Sequence, residues 1–112
     1  MSPDDQTRIR HMIEAAETAC QFVSDRARHD LDNDQMLVFA VVRAIEIVGE
    51  AASKVSAATR QSSTDVPWSL IISMRNRVVH AYFDIDHEIV WKTATEELPE
   101  VLPKLRSLIG AA

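Results

Sequence analysis

The stretch from residue 35 to 60, QMLVFAVVRAIEIVGEAASKVSAATR, restricts the fold more than any other part of the chain. Apolar side chains surround much of its first half, so a helix built from it must be covered on more than one side. Other helices have to supply that cover. With 112 residues the chain can form one core and not two. Only 2 Gly and 4 Pro interrupt a composition led by Ala, Ile, Val, Leu and Glu, which favours helices throughout. Gly49 falls inside the central segment, read as a helix over roughly 34–60. It costs about 1 kcal/mol relative to Ala there, and close approach of another backbone, within the bundle or across a dimer, explains its use.

The remaining helices follow from caps and periodicity. Ser2 as N-cap, Pro3 in the first turn and Asp5 three residues on open a helix whose core stripe is Ile9, Met12, Ile13, Ala16, Cys20 and Val23. The polar run RHDLDND connects it to the central helix, which Asp32, Asn33 or Asp34 can cap. After QSSTDVP, with Thr64 or Asp65 as cap and Pro67 near the first turn, a third helix runs to about residue 81. FDID breaks the pattern. Asp84 or Asp86 caps a fourth helix to about Leu98, with Glu88 in its first turn, and Pro99 and Pro103 bend or restart it as far as Gly110. The expected fold is all-α: an antiparallel up-and-down bundle of four to five helices in a single domain over 1–112.

Several functions are disfavoured. The single cysteine, Cys20, permits no internal disulfide, fits a reducing compartment, and lies in an apolar run that marks it as core. There is no signal-like N-terminal stretch and no run near the ~20 apolar residues of a membrane span, so a cytoplasmic protein is expected. The net charge of −5 argues against a generally basic nucleic-acid surface. Glu46 and Glu50 suggest a carboxylate pair, but Arg43 and Lys54 at helical spacing make ion pairing the simpler reading, and no metal site is expected. His11, His29 and His87 read as surface or local residues, and Asp84 and Asp86 as caps.

The polar cluster that remains is RNRVVHAY, residues 75–82, set between VPWSLIISM and FDIDHEIVW. On a regular helix Arg75 and Tyr82 share a stripe, and Asn76 and Arg77 neighbour His80. Arg75 and His80 are about 140° apart. They meet only if Arg75 reaches round, the helix unwinds near His80, or two copies complete one site. A histidine exchanges protons near neutral pH, and an arginine fork binds phosphate oxygens. Together they suit metal-free RNA cleavage: a base takes the 2′-hydroxyl proton and the arginine stabilises charge on phosphorus oxygens. The products would be a 2′,3′-cyclic phosphate and a 5′-hydroxyl. Asn76 can orient the imidazole or bond a phosphate, and Tyr82 can stack on a base or carry a modification. A solvated face with a histidine at a helix end is the alternative.

The segments AIEIVGEAASKVS, VPWSLIISMRNRVVHAYFDIDHEIVW and ELPEVLPKL resemble the HepT-like proteins of the HEPN superfamily, over about Val38 to Leu105, with RIRHMIEAAE as the opening helix. The family's R-x4-H-x-Y motif is matched by Arg75, His80 and Tyr82, with Asn76 after the arginine. The resemblance implies a toxin of a bacterial toxin–antitoxin pair. Such a toxin is a metal-independent ribonuclease acting on tRNA or mRNA, without cofactor, as a homodimer whose motifs line a shared cleft. It implies Arg75 and His80 as the catalytic pair, with Asn76 and Arg77 supporting or binding substrate. It also implies a partner, an MntA-type nucleotidyltransferase antitoxin that transfers AMP onto Tyr82 and silences the nuclease. Ser73 stands where the family often has Gly, and Ala81 where some members carry an acid; neither removes a catalytic group. Two competing readings are a HEPN-type module that docks a nucleotidyltransferase or binds nucleotide without cutting, and a purely structural bundle.

Overall fold

The computed structural model describes residues 1–79 and 84–110. Helix α1, Pro3–Val23, begins where the sequence places it: the Ser2 hydroxyl oxygen accepts the Asp5 N–H at 3.1 Å, and Pro3 occupies the first turn. The connecting polar run holds one short helical turn, α2 (Asp30–Asn33), and Asp34 caps α3 (Gln35–Ser53) by accepting the Leu37 N–H at 3.1 Å.

The central segment is two helices rather than one. α3 ends at Ser53, buried Val55 turns into the core, and Ser56 starts α4 (Ala57–Ser62) by capping the Thr59 N–H at 3.3 Å. A distant residue explains the break. The buried Asp5 carboxylate accepts the Ser56 N–H at 2.9 Å and the Ser56 and Thr59 hydroxyls at 2.6 Å each, drawing that backbone N–H out of any continuing helix. These bonds, the Ser56 hydroxyl's first, hold Asp5 down at a pKa of about 2.

Helix α5 spans Trp68–Val78, with Pro67 at the N-cap and no side-chain cap from Thr64 or Asp65. It stops earlier than periodicity suggests. Val79 has extended dihedrals (φ −115°, ψ 114°) and pairs with Ile85 in an isolated antiparallel bridge, while the Asp86 N–H donates to the Val78 carbonyl at 2.8 Å. Asp86 caps α6 (His87–Lys92) through the Ile89 N–H at 3.1 Å. Pro99 does not restart the chain. A π-helical turn, Thr93–Glu97, joins α6 to α7 (Leu98–Leu108) with helical dihedrals throughout; this wider turn lies just upstream of Pro99, where the proline ring would crowd an α-helical carbonyl.

α3 packs between α1 and α5, and α1 packs in turn on α7, an all-α bundle. Ile9, Met12, Ala16 and Ala19 of α1, Val41, Ile45 and Val48 of α3, Ile71 and Met74 of α5, and Leu98 and Leu105 of α7 form the core. Gly49 is where α3 meets α5: a Cβ there would lie 3.2 Å from the Ile71 carbonyl oxygen and 3.4 Å from that of Ile72. The close approach expected at this glycine lies within the chain. Among the described residues no helix is long and apolar enough to cross a membrane.

Candidate active site

α5 delivers its two arginines to different surroundings. Arg75 is more than half exposed on the side facing α3, its Nε 3.6 Å from Glu46 Oε2. Arg77, about 200° further round the helix, turns toward the π turn, where its guanidinium donates to Glu97 at 2.8 Å and 3.4 Å. Glu97 also accepts the Thr93 hydroxyl at 3.0 Å. Burial alone would push the Glu97 carboxyl up; the Arg77 and Thr93 bonds outweigh it and hold the group below its usual range. Arg77 is thus engaged in tying α5 to the last helical run. Asn76 is exposed between them.

Arg75 lies on the wall of a cleft of about 800 Å³ between α3, α5 and the start of α6. Phe39 of α3, 55% exposed, lines it with Val42 and Ile85, giving an aromatic face beside a guanidinium. The polar groups in the wall are mixed: the Arg75 guanidinium and the His87 imidazole beside the carboxylates of Glu46, Asp32 and Asp84. His87, at the first position of α6, places Nδ1 2.8 Å from Asp32 Oδ1, and Arg28 bridges Asp32 at 3.1 Å and Glu88 at 2.6 Å.

His80 and Tyr82, with Ala81 and Phe83, lie outside the described residues. Their roles rest on the motif. The offset of about 140° assumes a regular helix through residue 80, whereas α5 ends at Val78. Glu46 does pair with Arg43 (3.8 Å), and Arg43 also reaches Glu50 (3.6 Å), but the contact of Glu46 with Arg75 was not legible from spacing. Nor was the bond between His87 and Asp32, which are 55 residues apart. Cys20 is half-buried, its thiol 3.6 Å from the Ala94 carbonyl, and burial pushes its pKa up, away from thiolate reactivity. Among the described residues no cluster of His, Cys, Asp or Glu could hold a metal ion.

A family model described as Ribonuclease HepT-like matches residues 12–108. The chain belongs to the HepT-like ribonuclease family. It is 33% identical over 98 residues to the Methanocaldococcus jannaschii protein named "Putative RNase MJ1380", covering 88% of this chain and 90% of that one. It is 32% identical over 100 residues to the "Probable ribonuclease HepT" of Thermococcus cleftensis, covering 89% and 91%. No solved structure gives a significant match. Arg75, the arginine of the sequence pattern RNRVVH, stands at the wall of the open cleft.

Proposed function

We propose that this HepT-like protein is the toxin of a toxin–antitoxin pair and cuts tRNA or mRNA by attack of a ribose 2′-hydroxyl on the adjacent phosphate. The observation that carries the reading is the exposure of Arg75 at the cleft wall of a chain in a ribonuclease family. In this mechanism Arg75 exchanges its long contact with Glu46 for a bidentate grip on phosphate oxygens, stabilising the pentacoordinate phosphorus. His80 takes the 2′-hydroxyl proton, and Asn76 orients the imidazole or the phosphate. The O2′–P bond forms and the P–O5′ bond breaks, leaving a cyclic phosphate, and neither event requires a metal. A second copy completes the cleft in a homodimer. An MntA-type nucleotidyltransferase silences the enzyme by joining AMP to Tyr82, whose added phosphate would compete for Arg75.

The acidic residues of the wall favour one alternative: a module that docks a basic partner without cutting. Incubating the purified protein with total tRNA in EDTA, beside His80→Ala and Arg75→Ala, separates the two. Fragments ending in cyclic phosphate from the wild type alone are the expected result. Intact tRNA with unmodified, dimeric wild type would refute the nuclease reading.

A further inference from the structure

The His87–Asp32 pair has the arrangement of an oriented acid–base group, and it stands in the wall of the same cleft as Arg75. Arg28 donates to the same Asp32 oxygen that faces His87, and Glu88 pairs with Arg28 in turn. Hydrogen bonds from His87 and then Arg28 lower the Asp32 pKa, so the carboxylate is ionised and can only accept. The Nδ1 atom of His87 is therefore the donor, in the neutral ring and in the imidazolium alike. Its Nε2 has no hydrogen-bond partner among the described residues, and the ring is about one-third exposed to the cleft. The Asp86 cap fixes the backbone at this point. A plain tie between α2 and α6 could be made by a lysine or arginine; an imidazole held by Nδ1 presents Nε2 instead, a proton acceptor when the ring is neutral and a proton donor when it is protonated, the form that acts as an acid.

We propose that His87 is a second catalytic residue of the RNA cleavage reaction, the general acid that protonates the departing 5′-oxygen, with Asp32 as its positioning residue. This rests on the ribonuclease reading above. His80 takes the proton of the attacking 2′-hydroxyl, the O2′–P bond forms, the P–O5′ bond breaks, and the Nε2 proton of His87 passes to O5′. One proton is lost and one is delivered. Afterwards His80 is charged and His87 neutral, and exchange with water resets both. Assigning the two transfers to two imidazoles removes the need for His80 to change role within one turnover.

The test uses a leaving group that needs no acid. At the site mapped in the tRNA assay, an RNA oligonucleotide is synthesised with sulfur in place of the bridging 5′-oxygen. A thiolate leaves without protonation, whereas an alkoxide does not. His87→Gln, which can still donate to Asp32, should cut the normal RNA about 100-fold or more slowly. It should cut the 5′-thio RNA within about threefold of wild type, because the acid term of roughly 100-fold or more is absent from that reaction. Asp32→Asn should show a smaller loss with the same rescue. The ratio of the two rates within one variant is independent of the fraction folded, so partial misfolding cannot imitate rescue. Equal slowing of both substrates would overturn the role, as would a wild-type rate on normal RNA. If wild type cuts no RNA at all, the ribonuclease reading itself fails, and this role with it.

Discussion

Replacing Arg77 by Met tests whether this arginine serves RNA or the fold. Its guanidinium is one-third exposed, and Glu97 is 17% exposed. Breaking a fully buried pair costs about 3–5 kcal/mol and an exposed one about 0–1 kcal/mol. This pair lies between, with bonds of 2.8 and 3.4 Å, so Arg77→Met should cost about 2 kcal/mol. For 112 residues that lowers the melting temperature by about 8 °C. The pH dependence should weaken as well. In the wild type the folded Glu97 pKa lies below its ordinary 4.5, so its stabilisation is complete above that pH and is lost as pH falls through the folded value. Without Arg77, burial is opposed only by the Thr93 bond and the Lys92 charge, so the Glu97 pKa should rise and less stability should be lost through this group in acid. Urea titrations at several pH values, with Glu97→Gln alone and in combination, measure both effects. The double variant should recover more than about 1 kcal/mol of the loss, because no charge is left stranded. A single variant that melts like wild type yet no longer binds RNA would refute the structural role and return Arg77 to the cleft.

Asp5 should dominate the acid limb in the same way: its folded pKa of about 2 lies below the ordinary 3.8, so the stability it contributes is present at neutral pH and disappears as pH falls from about 5 toward 2. The difference between wild type and Asp5→Asn in urea midpoint should shrink across that range, and a difference independent of pH would contradict it. Gly49→Val should destabilise by about 1–3 kcal/mol, because its side chain meets the Ile71 and Ile72 carbonyls. Gly49→Ala should be near neutral, its gain of about 1 kcal/mol in helix propensity offset by the shift imposed on α5. A Val variant as stable as wild type in urea would disprove the close approach.

What was legible in the sequence was local. Ser2, and the caps Asp34 and Asp86 among the alternatives the sequence left open, were within reach because a cap acts within three residues, and the stripe of α1 announces its buried face. Features set by distant partners were not. Asp5 reads as an N-terminal acid, yet its carboxylate serves Ser56 and Thr59, and that service divides the central segment. Glu46 reads as the partner of Arg43, its neighbour on the helix, while its contact with Arg75 depends on how α3 lies against α5. Arg77 sits inside the motif and reads as part of it, but Glu97, twenty residues on, claims it. The sequence pattern groups these polar residues; the packing decides which of them face the cleft.

The helical run from His87 to Leu108 is continuous through the π turn, about 30 Å along its length. Its C-terminal half is clamped at Leu98, Val101 and Leu105, and its other end is a wall of the cleft. Mechanically it is a cantilever. A tilt of the wall at His87 is passed along this run to three side chains packed in the core, so substitutions at Leu105 should be felt at the cleft.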